Sequence, residues 1–296
     1  MENIIRIQQL SKNFSSIHAL QQVSFEVPEG SVMGILGPNG SGKTTLLSII
    51  LDVLKASSGS YEWLSLPSSN HHRTQIGTLL ETPNFYHYLS AVDNLKITAA
   101  IKNCSTEDIE PALKLVGLWD RKDSTFQTYS LGMKQRLAIA NALLGKPRVL
   151  VLDEPTNGMD PMGISEIRTL IKSLNQNGTT IIMASHLLDE VEKVCTHVAI
   201  LKQGHLLITG PVQEVLSQED CVEVKAQNLE VLQQLLLQYS AAKNVRMTND
   251  TVMIYGNVLD LAHINQYCMQ QGIILTHLLQ KRTSLEAKFI ELTAEK

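Results

Sequence analysis

The sequence has no long apolar run. No stretch approaches the eighteen or so apolar residues that a membrane-spanning helix requires. The first six residues alternate polar and apolar side chains, and they lack the basic start and apolar stretch of a secretory signal. We therefore expect a cytoplasmic chain, and any role at a membrane must come through a partner.

Cysteine is scarce, and basic residues form no stripe. The four cysteines lie far apart and show no paired metal-ligand spacing; they are Cys104, Cys195, Cys221 and Cys268. We expect them to be reduced, structural thiols. The formal net charge is −4, with Lys and Arg dispersed along the chain. Nothing in this pattern favours a nucleic-acid partner.

What the chain does contain is enough material for a sizeable core. Its 296 residues are 44% hydrophobic and 18% charged, which suits a globular protein and argues against disorder. The length fits one large α/β domain plus a smaller one. There is no internal repeat and no low-complexity tract.

Strand and helix patterns divide the chain into two parts. The first part predicts short strands, a glycine-rich loop and a helix, then a helical insert over about 82–144, and then β/α alternation after Pro147. Its predicted strands are 4–10, 23–27, 32–36, 149–152, 179–183 and 198–201. Its predicted helices are 44–54, 93–101, 105–116, 131–144 and 163–174. We expect an α/β cassette with a β-rich N-terminal part and a mostly parallel core sheet.

The tail follows a different pattern. From about residue 220 the order is strand, helix, strand, strand, helix, strand, which is the ferredoxin-like βαββαβ arrangement, closed by a helix from about Ser284. We therefore predict two domains, a nucleotide-binding domain over 1–218 and a small α+β accessory domain over 219–296.

A glycine-rich segment after the strand 32–36 matches the phosphate-binding pattern G-x-x-x-x-G-K-[ST]. It comprises Gly37, Pro38, Asn39, Gly40, Ser41, Gly42, Lys43 and Thr44, and Thr45 completes the predicted binding set. The glycines let backbone N–H groups point into one concavity at a helix N-terminus, which forms an anion site. We expect Lys43 to reach the β- and γ-phosphates and the Thr44 hydroxyl to ligate Mg²⁺.

Two carboxylates follow the apolar strand 149–152. A buried strand would place Asp153 near the Mg²⁺ shell and Glu154 near a water in line with the γ-phosphate. Glu154 is therefore the candidate general base or water-positioning residue. The alternative is that two adjacent acids merely mark a solvated strand end, and the phosphate loop upstream weighs against it.

Between these motifs lies Tyr129-Ser130-Leu131-Gly132-Met133-Lys134-Gln135-Arg136. It resembles the signature Leu-Ser-Gly-Gly-Gln followed by Gln-Arg, with Leu131 and Met133 in place of a glycine and the glutamine. Ser130 can cap a helix while offering its hydroxyl, and Gly132 leaves room for phosphate oxygens at the positive helix end. By these three motifs and their order, roughly residues 2–217 resemble the ATP-binding-cassette (ABC) ATPases.

This resemblance implies further site residues. His186, after the strand 179–183, resembles the family's switch histidine, which contacts the γ-phosphate and supports the base. Asp160 resembles the aspartate that the family's D-loop carries across the subunit boundary, although Asp before Pro is also a common helix cap. Phe14 stands where the family has a tyrosine that stacks on adenine. The alternative is that Phe14 is a core residue.

Glu81 departs from the family pattern. Most cassette ATPases carry a glutamine at this strand end, close to Mg²⁺ and the attacking water. An acid here, in Glu81-Thr82-Pro83-Asn84-Phe85-Tyr86, is similar to the bacitracin and lantibiotic resistance exporter ATPases. A carboxylate would bind Mg²⁺ more strongly but would repel the γ-phosphate, so Glu81 is either a metal ligand or a marker of the subfamily.

The resemblance also implies the cofactors and partners. It implies ATP and Mg²⁺, a separate integral-membrane permease that docks beside residues 81–88 and the helical insert, and a second copy of the chain in a nucleotide-sandwich dimer. Each ATP site then needs Ser130 and Gly132 from the other copy. The chain is expected on the inner face of the cell membrane, exporting a peptide antibiotic or a related toxic compound.

Two other classes compete with this interpretation. Cassette ATPases that act on ribosomes carry two cassettes with a charged linker, and those that act on DNA insert long coiled coils. Neither feature is present in the sequence. P-loop kinases and GTPases would need an acceptor or nucleobase motif in place of the signature, and no Asn-Lys-x-Asp segment occurs.

Overall fold

The fold is that of a computed structural model, which describes residues 2–64, 70–80, 83–216, 220–248, 250–256, 259–281, 285 and 289. The chain divides into two compact units, Met1–Pro211 and Val212–Lys296. The boundary expected from the sequence, 218/219, lies further along the chain. Among the helices of the described residues, none has the length and apolar character needed to cross a membrane.

The first unit alternates strands and helices. In chain order these are β1 (Asn3–Phe14), β2 (Ile17–Pro28), β3 (Val32–Leu36), α1 (Lys43–Ile50), β4 (Ser58–Trp63), β5 (Ile76–Leu79), α2 (Ala91–Lys102), α3 (Ile109–Leu115), α4 (Leu131–Leu143), β6 (Val149–Asp153), α5 (Pro161–Gln176), β7 (Thr180–Ser185), α6 (Leu188–Val194), β8 (His197–Lys202) and β9 (His205–Pro211). Short 3₁₀ turns lie at Asn70–Gln75, Thr106–Asp108, Trp119–Arg121 and Phe126–Thr128.

A six-stranded sheet in the order β5-β6-β7-β3-β8-β9 forms the centre of this unit. Neighbouring strands from β5 to β8 are parallel, and β9 pairs antiparallel with β8. Every residue of β3, β6 and β7 is buried, as expected for central strands covered on both faces. Because the carboxyl ends of parallel strands share one edge, the segments that follow these three strands lie side by side.

The three-stranded antiparallel sheet β2-β1-β4 shares a core with α1 and the central sheet. Leu46 and Leu47 of α1 are fully buried against residues of both sheets, among them Leu10 and Ile35. Burying such a side chain stabilises the fold by about 1.5–3 kcal/mol. The phosphate loop therefore begins and ends on firmly packed elements.

The predicted helical insert contains α2, α3 and α4. Ser90 and Ser130 cap α2 and α4 by accepting the backbone N–H groups of Asp93 and Met133. Lys102 of α2 donates to three backbone carbonyls at the end of α4, those of Asn141, Ala142 and Leu144, at 3.2–3.3 Å. The ammonium group thereby satisfies carbonyls that the helix end leaves unpaired. Burial lowers its pKa.

Several elements differ from the sequence expectation. Helix α1 ends at Ile50 and not at residue 54, because Asp52 adopts a left-handed backbone (φ 59°) and the Ser48 carbonyl accepts the N–H groups of Val53 and Leu54. The predicted helix 105–116 starts with a 3₁₀ turn. Strands β4, β5 and β9 were not predicted, since their alternation is short or broken by glycine and proline.

The second unit begins with α7 (Val212–Leu216) and then follows the predicted βαββαβ order. Its elements are β10 (Asp220–Ala226), α8 (Leu229–Leu236), β11 (Asn244–Met247), β12 (Val252–Gly256), α9 (Leu261–Gln270) and β13 (Leu275–Lys281). The antiparallel sheet has the order β11-β12-β10-β13, so the ferredoxin-like prediction is confirmed. Of the predicted closing helix, Leu285 and Phe289 are helical, and the rest lies outside the described residues.

The thiols are embedded in these units. No disulfide joins the four cysteines, all of which belong to the described part of the chain. Cys195 packs against Gly34 of β3, where an added Cβ would lie 2.9 Å from its sulfur. Burial raises the pKa of the Cys195 thiol, so this group stays protonated and unreactive.

Candidate functional site

The phosphate loop lies between β3 and α1 and is braced by neighbouring strands. An added Cβ on Gly37 would collide with the Leu201 carbonyl, and one on Gly42 with the Ala19 carbonyl. The N–H of Gly204, in the β8–β9 turn, donates to the Ser41 carbonyl at 3.0 Å. The loop is thus a preformed cradle in which close backbone approach requires glycine at positions 37 and 42.

Lys43 lies inside this cradle. Its ammonium group is buried and donates to the carbonyls of Gly37 at 2.9 Å and Pro38 at 3.4 Å. Among the described residues, the buried Ser41 Oγ has no hydrogen-bond partner. A buried hydroxyl and a buried cation at a helix N-terminus fit a phosphate group, which can accept from both.

Thr44 and Asp153 meet at the carboxyl edge of the sheet. The Thr44 hydroxyl donates to Asp153 Oδ2 at 2.7 Å. Asp153 is only 3% exposed, so the alternative that this acid merely marks solvent is wrong. Hydroxyl and carboxylate oxygens are the ligands that Mg²⁺ prefers in nucleotide sites, and the pair fits that ion.

Glu154 joins the elements of the site. Its carboxylate lies 2.8 Å from His186 Nδ1 through Oε2 and 3.6 Å from Lys43 Nζ through Oε1. Since a carboxylate only accepts, Nδ1 of His186 carries the proton in this contact. The side chains after β6 and β7 and the lysine of the phosphate loop are therefore brought together.

The signature segment and the D-loop lie against each other in the same chain. A Cβ on Gly158 would lie 2.6 Å from Leu131 Cδ2, and one on Gly132 would lie 3.3 Å from Met159 Cε. Asp160 caps α5 by accepting the N–H of Gly163 at 2.8 Å. The helix-cap interpretation of Asp160 is therefore correct, whatever else the residue does.

Phe14 ends β1 and is 42% exposed, with Lys12 Nζ over its ring at 4.9 Å from the ring centre, so it is not a core residue. Glu81 lies outside the described residues. Gln135, which received no role from the sequence, donates from Nε2 to the Glu154 carbonyl at 3.3 Å.

A phosphate loop after β3, an Asp-Glu pair at the end of β6 and a histidine after β7, all at one edge of a parallel sheet, define a P-loop nucleoside triphosphatase. Among these triphosphatases, the signature segment at the start of α4 indicates an ABC ATPase. Comparison with known proteins agrees: the profile described as "ABC transporter" matches residues 20–157.

Relatives align over nearly the whole chain. The bacitracin transport ATP-binding protein of Enterococcus faecalis is 32% identical over 99% of this chain and 97% of its own length, and that of Bacillus licheniformis is 34% identical over 99% and 98%. The lantibiotic transport ATP-binding protein of Streptococcus pyogenes is 38% identical over 69% and 90%.

Solved structures share the fold. A cassette from an ABC transporter complex of Clostridium perfringens is 31% identical with a TM-score of 0.66, over 81% of this chain and 96% of that chain. A dimeric cassette with ADP and phosphate bound is 25% identical with a TM-score of 0.63, over 70% and 98%. The chain belongs to the ABC transporter family, as an ATP-binding and ATP-hydrolysing subunit.

Proposed function

We propose that this chain drives a separate integral-membrane permease that exports a peptide antibiotic or a related toxic compound. The observation that carries this proposal is the alignment of 99% of the chain, including the second unit, with bacitracin transport ATP-binding proteins from two organisms. The chain would then lie in the cytoplasm, on the inner face of the membrane, and be held there by its permease.

The phosphate loop would bind the nucleotide. Lys43 and backbone N–H groups of the phosphate loop would hold the β- and γ-phosphates, and Phe14 would stack on adenine. Thr44 and Asp153, whose oxygens are 2.7 Å apart, would hold Mg²⁺. The ion, when bound, would neutralise charge on the β- and γ-phosphate oxygens.

Glu154 would position or deprotonate the attacking water. Its carboxylate is 21% exposed and is held between Lys43 and His186, so its orientation is fixed while one side remains accessible to water. His186 donates from Nδ1 to the Glu154 carboxylate and would fix its direction. This arrangement suits general-base catalysis by the carboxylate.

A second copy of the chain would complete each ATP site. The Ser130 hydroxyl and the backbone at Gly132 lie at the positive end of α4, where they would meet the nucleotide bound by the other copy. Asp160 would reach the same boundary. A related cassette is dimeric with ADP and phosphate bound, which supports this arrangement.

The surface before α2 would dock the permease. Tyr86 and Tyr88 are 52% and 70% exposed, and exposed aromatic residues are typical of interfaces. The buried Asn94 holds this segment: it accepts the Tyr86 N–H at 2.9 Å and donates to the carbonyls of Tyr86 at 3.2 Å, Leu89 at 3.4 Å and Ser90 at 3.0 Å. These hydrogen bonds would couple a movement of the permease to the helical insert.

Reconstitution with a multi-span membrane protein, sought first among the genes adjacent to this one, tests the function. Inside-out vesicles that contain both proteins should take up labelled bacitracin or a lantibiotic when ATP is supplied. Tyr88→Ala should lower permease-stimulated hydrolysis about tenfold and leave the ATPase rate of the isolated chain unchanged. Val53 is exposed to a similar extent but lies outside this surface, so Val53→Ala should change neither rate. If the permease leaves the ATPase rate unchanged, the proposal is wrong.

Glu81→Gln separates the two interpretations of this residue. Glu81 follows β5, which pairs in parallel with β6, so the two strands end at the same edge as Asp153. If Glu81 ligates Mg²⁺, its removal should shift the Mg²⁺ concentration for half-maximal ATPase rate upward by about tenfold. An unchanged rate and Mg²⁺ dependence would make Glu81 a subfamily marker.

A further inference from the structure

The backbone of Glu154 is held in an unusual conformation. Its φ of 48° lies in the left-handed region, which non-glycine residues occupy at a cost of about 1–3 kcal/mol unless their surroundings hold them there. Its N–H donates to the Ala184 carbonyl at 3.0 Å, and its carbonyl accepts the Asn157 N–H at 3.1 Å. The direction of the carboxylate depends on this conformation.

Gln135 supplies a further contact to the same carbonyl. Its Nε2 donates to Glu154 O at 3.3 Å across the interface between α4 and the segment after β6. The side chain is only 4% exposed, and among the described residues its Oε1 has no hydrogen-bond partner. A buried polar atom without a hydrogen-bond partner lowers the free energy of unfolding by about 1–3 kcal/mol. Packing alone therefore does not account for a glutamine at this position.

The first turn of α4 touches the far end of the same segment. Leu131 lies over Gly158, and Gly132 faces Met159. Helix α4 therefore contacts both ends of the 154–160 segment. It makes apolar contacts near Gly158 and Met159, and the Gln135 hydrogen bond at Glu154. Of these contacts, the Gln135 hydrogen bond is the one that reaches Glu154 itself.

We propose that Gln135 is a positioning residue that holds Glu154 in its hydrolytic orientation and couples it to the signature helix. This inference rests on the proposed function. In the dimer, Ser130 at the start of α4 would contact the nucleotide of the other copy, whereas Gln135 acts on the Glu154 of its own copy. Nucleotide binding at one site would thus adjust the base of the second site.

Gln135→Met tests the hydrogen bond, since methionine has a similar length but cannot donate. In the full chain with its permease, kcat should fall about tenfold, as expected for loss of a contact that fixes a reacting group, while KM for ATP stays within twofold. Asn141→Leu is the matched control. Asn141 lies on the same helix with Oδ1 likewise unpartnered among the described residues, and its replacement should leave kcat unchanged.

Gln135→Glu adds a readout that a purely structural role would not move. Burial raises the pKa of a carboxyl group, so over a broad pH range this side chain would pass from a protonated form that can donate to an ionised form that cannot. The ratio of its kcat to that of the wild type should fall as pH rises over this range. The same ratio for Gln135→Met should stay flat.

The outcomes separate this inference from the proposed function. Absence of ATP hydrolysis in the wild type would overturn the proposed function itself. With an active wild type, a kcat of Gln135→Met within twofold would overturn only the role of Gln135. A flat pH ratio for Gln135→Glu, or an equal loss in Asn141→Leu, would show that the residue serves packing alone and would also overturn it.

Discussion

Replacing Glu154 by glutamine is expected to leave ATP bound while hydrolysis falls by at least about 100-fold. Glu154 touches the anion site only through its 3.6 Å contact with Lys43. Without that contact Lys43 still donates to the loop carbonyls, and Thr44 still contacts Asp153. The amide retains the shape of the carboxylate but cannot accept a proton from water. Phosphate release and retention of labelled ATP, measured on the same preparation, check the two halves of this expectation.

The control for this variant is the same chemical change at Glu110. Glu110 forms an exposed ion pair with Lys114 at 2.6 Å on α3, and such pairs contribute about 0.5 kcal/mol or less. Glu110→Gln should therefore hydrolyse ATP at the wild-type rate. Turnover by Glu154→Gln within a factor of two of wild type would remove Glu154 from the reaction.

Gly42→Ala should abolish nucleotide binding, with the affinity for ATP falling by at least about 100-fold. Gly42 has a φ of 104°, and an added Cβ would collide with the Ala19 carbonyl of β2. Backbone on both sides must shift, so the phosphate loop loses the shape that directs its N–H groups inward. We expect the free energy of unfolding to fall by about 2–4 kcal/mol as well.

Gly30→Ala separates the collision from the backbone strain. Gly30 also has a positive φ, 72°, but an added Cβ there meets no atom within 4 Å. Its substitution should cost about 1–2 kcal/mol of stability and leave ATP affinity unchanged. Isothermal titration measures the ATP affinity of both variants, and denaturant unfolding measures their free energy of unfolding. Equal ATP affinities for Gly42→Ala and Gly30→Ala would contradict the close approach at Gly42.

The sequence predicted those parts of the molecule that local pattern determines. The strand Val32–Leu36 was placed with its observed bounds, because a short apolar run that ends in a glycine-rich loop has few alternatives. The loop 37–44, Asp153 and Glu154 follow directly from such runs. The order of the tail elements was also readable, since helix and strand periods alternate there cleanly.

Other parts depend on contacts between distant segments. Strand β9 contains Gly210 and Pro211, which break the local pattern, yet it pairs with β8 up to Pro211 as an edge strand. The contact of Gln135 with Glu154 joins residues 19 positions apart, and it exists only because α4 packs beside the end of β6. The left-handed backbone of Glu154 has no signature in residue type.

The backbone N–H of Gly204 can report on the opening of the phosphate loop. This amide lies in the β8–β9 turn, carries no predicted role, and donates to the Ser41 carbonyl at 3.0 Å. Its rate of hydrogen–deuterium exchange therefore measures how often the phosphate loop separates from the neighbouring hairpin. One backbone amide, read by NMR or mass spectrometry, would give the opening free energy of the nucleotide cradle without any label in the site itself.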